Sequence, residues 1–507
     1  MSESNSMGLA ALKWCSVAVA TGVLAGCASY GDIEPHQTLT PISRLSAAQV
    51  IGDSPVTPAA WPQQNWWRQL GDPELDSLVK EALSDSPDIA VAQARLRSAN
   101  AAIAAARAGT LPTVDASAQI SRSRVSEVDD PMGQGNFYST SRSALLSFNY
   151  DLDLWGGNRA AWEAALGSAR AQEIEFQAAK LTLSVNVARA YVSLADAYAM
   201  RDVAQRQLDR AERINDINDE LMKAGLNNQS DSLQSRVTVA NARQSLESAE
   251  QSIRSERISL AILLGKGPDR GQDIPRPDAL SPAILALPSV IPAELIGHRP
   301  DVVAARWRVE AASQRIKQAK AQFYPNINLS AMAGFKSVLG DYFFSEAAKS
   351  GSVTPAISLP IFEGGQLRAN LDSTDADYDL AVAQYNQTIV SALGEVADDI
   401  TTLQSVNQQR QSQQQAVDNA RGAYQLSEER YRAGLADYLQ VLSSEQQLLT
   451  AEQSLTQLNS QRLDRSVQLV QALGGGLSLD PTVPHRSSGF PDAPNPSAPT
   501  VVDSPER

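Results

Sequence analysis

The sequence predicts an α+β membrane protein in which each chain supplies four β-strands to a barrel closed by several copies and joined to long coiled-coil helical hairpins. The unit is written twice along the chain. Three observations carry this reading. Landmarks recur at nearly constant spacing through the 507 residues. Four segments alternate apolar and polar side chains. Two long runs, 158–222 and 366–432, contain no proline and little glycine.

Composition removes other classes. With 43 basic against 57 acidic residues the formal charge is -14, so no net basic field exists to hold a phosphate backbone, and nucleic acid is excluded as a partner. Two cysteines make no disulfide framework. Past the N-terminus no stretch supplies the ~20 apolar residues that a spanning helix needs, and a mean hydropathy of -0.25 fits a chain with few such stretches.

The N-terminus reads as an address. Trp14 to Gly26 is almost wholly apolar or small and follows Lys13, which is the form of a secretory apolar core. Glu3 opposes Lys13, so Met7 is a second candidate start. The segment ends in Leu24-Ala25-Gly26-Cys27, which resembles the bacterial lipobox. That resemblance implies that residues 1–26 are removed, Cys15 with them, and that Cys27 carries a diacylglycerol and an N-acyl chain. Each buried CH2 of such chains contributes about 0.8 kcal/mol to membrane anchoring. Ala28 in place of Asp after the cysteine implies sorting to the outer membrane. Residues 27–65 then form a linker.

The duplication is explicit. Ser86-Pro87-Asp88 recurs as Arg299-Pro300-Asp301, and Leu111-Pro112 as Tyr324-Pro325, both 213 residues later. Trp155-Gly156-Gly157 matches Glu363-Gly364-Gly365 at 208; Ala224-Gly225-Leu226 matches Ala433-Gly434-Leu435, and Leu264-Gly265 matches Leu473-Gly474, both at 209. A period this long marks a duplicated structural half, since solenoid repeats are 20–50 residues. The halves are 66–290 and 291–476, and a Pro- and Ser-rich tail, 477–507, has no means of burying a core.

Each half opens with an Ala-rich helix, Asp85 to Gly109 and Pro300 to Phe323, that stops where a proline starts extended chain. Alternation follows: Val114, Ala116, Ala118 and Ile120 against Asp115, Ser117 and Gln119, then Ile327, Leu329, Ala331, Ala333 and Phe335 against Asn326, Asn328 and Ser330. A second strand in each half holds Leu146, Phe148, Tyr150, Leu152 and Leu154, or Val353, Ile357, Leu359 and Ile361. A soluble sandwich is the competing reading. Strands of about ten residues are the length of tilted membrane-crossing strands, but four of them enclose no lumen. An open sheet in lipid would leave edge groups unpaired at several kcal/mol each, so several chains must share the barrel. Tyr138, Phe148, Tyr150 and Tyr324 are candidates for an interfacial girdle, and Asp151 and Asp153 for lumen lining.

The proline-free runs reach ~100 Å at 1.5 Å per residue. Leu181, Val185, Ala188, Val192 and Ala195 step by four and three, as do Ile389, Leu393, Val396, Ile400 and Leu403, which is coiled-coil spacing; Leu442, Leu449, Thr456, Leu463 and Val470 keep a seven-residue column. Each run reverses at a glycine, Gly225 or Gly434, suited to a left-handed cap. The chain returns as Ser230 to Leu264 and Asp437 to Leu473. His36, His298 and His485 are isolated, and no metal spacing, phosphate loop or nucleophile elbow occurs, so no enzyme is expected.

Trp66-Trp67-Arg68-Gln69-Leu70-Gly71-Asp72-Pro73-Glu74-Leu75, with Ala82-Leu83 and Pro87-Asp88, resembles the opening signature of the outer-membrane efflux protein family, the TolC-type channels, in its lipoprotein branch of OprM and NodT type. His298-Arg299-Pro300-Asp301-Val302 through Phe323, Tyr324-Pro325 and Leu329 resembles its second signature. The resemblance spans Trp66 to Gly476. It implies a homotrimer in the outer membrane with a twelve-stranded barrel and a periplasmic helical tunnel. The tunnel closes at the hairpin tips and is opened by a periplasmic adaptor bound to a resistance-nodulation-division pump of the inner membrane. By the same resemblance Asp231 and Tyr431 stand at gate positions; Ala436 replaces the usual basic partner, for which Arg432 is a substitute; and Gln440 and Ser443 replace an acidic ring. Gly225, Leu226 and Asn227, with Gly434, Leu435 and Ala436, match adaptor-docking positions. The implied function is export of small molecules such as drugs. A type I protein secretion conduit and a periplasmic coiled-coil scaffold lipoprotein are the alternatives.

Overall fold

A computed structural model describes residues 62–126, 137–281, 298–338 and 342–476, with residue 128 and positions at 31, 33–41 and 44–45. Cys27, the N-terminal segment 1–26, the junction between the halves at 290/291 and the tail from 477 lie outside the described residues.

The chain order is α1 (Pro73–Asp85), α2 (Pro87–Ala108), β1 (Thr113–Val125), β2 (Phe137–Leu152), α3 (Gly157–Lys223), α4 (Gln229–Leu263), α5 (Pro300–Ala321), β3 (Asn326–Ser337), β4 (Lys349–Ser358), α6 (Gln366–Arg432) and α7 (Tyr438–Ala472). The duplication holds to the residue in the helices: α2 and α5 are 22 residues, α3 and α6 are 67, and α4 and α7 are 35.

Several boundaries differ from expectation for local reasons. The first helix begins at Pro87, not Asp85, because Ser86 is extended ahead of the proline and caps the helix by accepting from Asp88 N at 3.3 Å. A separate helix, α1, precedes it, capped by Asp72, which accepts from Glu74 N at 2.8 Å. Strand β2 starts at Phe137, well before Leu146, and runs 16 residues. It stops at Leu152, so Leu154 lies beyond it, and β4 stops at Ser358, short of Leu359 and Ile361. Asp153 therefore lies beyond the strand and not in it. Gly156, the residue before α3, has no capping side chain, and Asp153 accepts instead from Asn158 N at 3.2 Å and Arg159 N at 2.8 Å.

The sheet is antiparallel in the order β1-β2-β3-β4, so the two halves share one sheet. Its register sorts the side chains. Val114, Phe148, Ala331 and Val353 lie abreast, flanked by Ala116, Leu146, Ala333 and Gly351 and by Tyr150, Leu329 and Pro355. The other face carries Asp115, Ser147, Met332 and Ser352 abreast, then Asn149, Ser330 and Thr354. Between Ile327 and Phe335 the apolar band is about 26 Å long along the strand, which at a barrel tilt of about 40° gives about 20 Å of height, most of a membrane band of about 25 Å. Both faces are largely uncovered within one chain; Val114, Ile120, Leu146, Val353 and Ile357 are all exposed. No described helix is long and apolar enough to cross a membrane.

Helix α3 packs on α2, α4, α5 and α7, and α6 packs on α5 and α7. At mid-length the motif around Trp66 and Trp67 closes a core of Leu70, Leu75, Leu78, Tyr191, Leu194, Leu260 and Val467. Asp72 is its polar pin, taking Tyr191 Oη–H at 2.7 Å and Asp278 N at 3.0 Å besides its cap bond. The second motif does similar work. Arg299 is buried and donates to Asp301 at 2.6 Å, Glu395 at 2.8 Å and the Ala472 carbonyl at 3.1 Å, joining the start of α5 to α6 and the end of α7. The His298 carbonyl lies where a Cβ on Gly474 (φ +88) would collide with it.

Candidate functional site: the tunnel end and the membrane band

At the end of the rods away from the sheet, α3 turns into α4 and α6 into α7 by the same device. Gly225 (φ +74) and Gly434 (φ +70) take the left-handed conformation, with Gly225 N bonding Met222 O at 3.0 Å and Gly434 N bonding Tyr431 O at 2.9 Å. A Cβ at either glycine would meet nothing within 4 Å, so the backbone angle alone requires glycine. Asn228 caps α4 and Asp437 caps α7, accepting from Asp231 N at 3.0 Å and Gln440 N at 2.9 Å. The next residues are left in the open, Leu226 at 76% and Leu435 at 71% exposure.

The two turns of one chain are tied together. Tyr431 is buried and donates its hydroxyl to Asn218, while Asn227 donates to both Asn218 and the Tyr431 oxygen. Tyr438 lies with its ring 6.2 Å from that of Tyr431, and its hydroxyl is 3.2 Å from the Thr238 hydroxyl on α4. Burial pushes the Tyr431 hydroxyl up to about 12, with the Asp231 charge adding to the rise and the Asn227 bond opposing it. Of the expected gate residues, Tyr431 thus locks the hairpins of its own chain. Asp231 accepts from Asn228 Nδ2 at 3.1 Å, and Arg432 pairs along its own helix with Glu428 at 3.3 Å. The structure does not join Asp231 to Arg432 within the chain. Asn218 was not singled out from the sequence; its signal was a polar residue in the column of Ile214, Ile217 and Leu221.

About four turns above the tip lies a buried polar cluster that periodicity did not reveal. Arg210 on α3 donates to Glu452 on α7 at 3.3 Å, and Arg421 on α6 reaches the same carboxylate at 3.4 Å. The Arg210 guanidinium lies 5.9 Å from the Tyr424 ring centroid. Beside it on α7 is Glu445, 5% exposed, whose Oε1 is buried without a hydrogen bond. Burial pushes this carboxyl up to about 7, Arg210 opposing and Glu428 reinforcing the rise. Among the described residues no cluster of His, Cys, Asp and Glu is built to hold a metal.

At the other end Trp155 stacks on Tyr324, with centroids 4.7 Å apart, and donates to the Pro325 carbonyl at 2.8 Å, where the strands meet the helices. The halves also differ in cover. Helix α5 has eleven buried residues and sits between α3 and α6; its counterpart α2 buries only Ile89 and Ala92 and leaves an Ala-rich side bare. Among the described residues nothing pairs with the outer edges of β1 and β4. Bare helix side and bare strand edges together describe a protomer that completes itself against copies.

Comparison with known proteins agrees with this geometry. The pattern of the family described as outer membrane efflux protein matches residues 78–266 and 291–475. The multidrug resistance outer membrane protein MdtP of Escherichia coli K12 is 33% identical over 492 residues, covering 94% of this chain and 98% of that one. The fusaric acid resistance protein FusA of Burkholderia cepacia is 37% identical over 380 residues, covering 74% and 71%. Among solved structures, the outer membrane protein VceC of Vibrio cholerae superposes with a TM-score of 0.77 at 37% identity, covering 82% of this chain and all of that one.

Proposed function

Because the chain belongs to the outer membrane efflux protein family, we propose the following assembly: three copies, each held by lipid on Cys27, receive an adaptor and a resistance-nodulation-division pump at the hairpin tips. The protein is an outer-membrane efflux channel reaching into the periplasm, and not an enzyme. The carrying observation is the sheet: one chain presents an apolar band spanning most of the membrane height on one face, a polar face behind it, and, among the described residues, two open edges. Edges closed by neighbouring copies satisfy the backbone in lipid, and the polar face then lines the pore.

Each finer element has its own support. Gly31, four residues past Cys27, lies against the first turn of α6, where a Cβ would stand 3.1 Å from the Arg368 guanidinium. His36 N and Gln37 N bond Asp379 at 3.0 and 2.8 Å, and Thr40 N bonds Asn386 at 2.8 Å, so the chain runs along α6 from its sheet end. Four residues span about 13 Å, enough for acyl chains on Cys27 to enter the inner leaflet. For docking, Leu226 and Leu435 are apolar, exposed and held by rigid turns, which suits an adaptor with apolar sockets. The relatives' names speak of drugs and fusaric acid; small organic compounds are the cargo proposed here.

The test is purified full-length protein. Trimers on cold SDS gels and ionic currents in planar bilayers are expected; monomers passing no current would sink the reading. Cys27→Ser should lose the lipid mass and keep the trimer. Leu226→Ser with Leu435→Ser should keep the current and lose export in cells.

A further inference from the structure

The duplication exposes two charges that the hairpin does not need. On α6, Ile389, Val396, Val417 and Tyr424 are buried in one column of seven-residue steps, and Arg410 takes a position in that column. On α7, Val441, Leu448 and Leu469 are buried in the facing column, and Arg462 stands among them. The first half carries the same two positions 209 residues earlier, as Arg201 and Ile253. Ile253 is buried in the core around Trp66, and Arg201 lies 3.4 Å from Asp202. In the second half Gln411 replaces Asp202 and Arg462 replaces Ile253. One half thus folds with a single, neutralised arginine where the other holds two.

Nothing nearby balances the pair. Residues 400–417 and 453–463 contain no aspartate or glutamate, and Arg410 and Arg462 are their only charges. The carboxylates that bound these segments are engaged: Asp399 lies 3.6 Å from Arg465, Asp418 3.7 Å from Arg421, Glu452 3.3 Å from Arg210 and Asp464 2.6 Å from Arg189. Among the described residues neither arginine makes a hydrogen bond or ion pair, and Arg410 Nε is buried without a partner. Gln413 donates to the Ala451 carbonyl at 3.1 Å, and with the Arg465–Asp399 contact this fixes the seam on both sides of the pair. By that register Arg410 stands roughly opposite Ser454, closer to the tip than Arg462. A helical side chain leans toward the N-terminus of its own helix, so in antiparallel α6 and α7 Arg410 leans away from the tip and Arg462 toward it. The two heads converge. Burial, and then the charge of Arg410, push the Arg462 guanidinium below its ordinary value.

We propose that Arg410 and Arg462 together bind one small oxyanion, a phosphate or a carboxylate, in the seam between α6 and α7. The class follows from the donors. A guanidinium presents paired N–H groups that match two oxygens of a carboxylate or phosphate, and two forks on one anion turn mutual repulsion into shared attraction. The flanking side chains Asn407, Gln411, Asn459 and Gln461 are neutral, so none of them repels an anion. Both arginines are half-buried, which leaves a side open for filling from solution. Both also belong to one chain, so the site stands apart from how the copies assemble.

The test uses purified full-length protein in detergent, titrated with inorganic phosphate or benzoate at constant ionic strength made up with sodium chloride. Binding is read by calorimetry and by the thermal unfolding midpoint. The parent should take up one anion per chain, with a midpoint that rises as the site fills. R410Q and R462Q should each weaken that binding roughly tenfold. Arg462→Ile, which restores the residue of the first half, should bind neither probe and, with no probe added, unfold at a higher temperature than the parent because an unpaired charge is gone. Arg254→Gln, on an exposed part of α4, should bind as the parent does. Should either glutamine variant fail to fold, R410K/R462K keeps the charges, loses the forks and should bind more weakly than the parent. Binding of phosphate alone marks a site for an inorganic ion and binding of benzoate alone one for an organic acid; either supports the proposal. A parent that takes up neither, or arginine variants that bind as it does, overturns it. So does an Arg462→Ile protein less stable than the parent without probe, the mark of a neighbouring copy's carboxylate already in the seam.

Discussion

Replacing Glu445 with Gln isolates one buried charge above the tunnel tip. The carboxyl lies on α7 facing Arg210 of α3 and Tyr424 and Glu428 of α6, and the charge of Arg210 is already claimed by Glu452. Burial raises it from 4.5 to about 7. At 1.36 kcal/mol per pH unit, that rise corresponds to about 3 kcal/mol. The sign follows from proton uptake: between pH 4.5 and 7 the folded chain holds a proton that the unfolded chain has lost. Stability from this group is therefore complete below 4.5 and drains away as pH rises to 7. Glu445→Gln keeps shape and neutrality. Unfolding of the purified trimer by urea, followed by circular dichroism from pH 4.5 to 8, should show parent and variant equal at the acid end. At pH 8 the variant should be more stable by about 3 kcal/mol per chain. A difference that stays flat across that range refutes the reasoning, because it would mean the carboxyl titrates normally or never enters a dry site.

Other substitutions follow from the same geometry. Asp399, lifted to about 6 by burial against the pull of Arg465, should behave alike on a smaller scale: Asp399→Asn should remove a stability loss between pH 4 and 6, seen in the same titration. Tyr431→Phe strips the hydroxyl from buried Asn218 and should cost about 1–3 kcal/mol at the tip, read as faster amide exchange around 218–227 with the sheet unchanged. Arg299→Ala removes the bonds that tie the start of α5 to Glu395 on α6 and to the end of α7, together with the two-pronged pair to Asp301, and should cost about 2–3 kcal/mol in urea unfolding, with Arg299→Lys recovering part. Gly434→Ala forces a side chain to φ +70 in open space and should cost about 1 kcal/mol, without loss of trimer on gels.

Periodicity served the long elements well and served their ends poorly. The positions Val185, Ala188 and Val192, and Ile389, Val396 and Ile400, are buried as the four-three spacing implies, because a 67-residue rod repeats its constraint many times. Strand ends depend on single residues. Asp153 fits a strand by its type and its neighbours, yet it is taken by the start of α3 because Gly156 offers no cap of its own. The two signatures stood out from the sequence, but their work did not. Asp72 and Arg299 each bond partners more than 90 residues away, and nothing local announces that.

By itself the sequence determined the duplicated plan, the alternation that divides each strand into a wet and a greasy face, the glycine turns and the absence of catalytic chemistry. All of these arise from backbone limits and periods of two, three and four residues. Only the tertiary structure decided that four strands from two halves form one sheet in a register that assembles the apolar rows on one face. It alone decided that Tyr431 closes on Asn218 while Asp231 and Arg432 go elsewhere, that Glu445 is stranded in a dry cluster, and that α2 is bare where α5 is covered. Those outcomes depend on which distant segments share a neighbourhood, and burial, charge and hydrogen bonding take their values only once that neighbourhood exists.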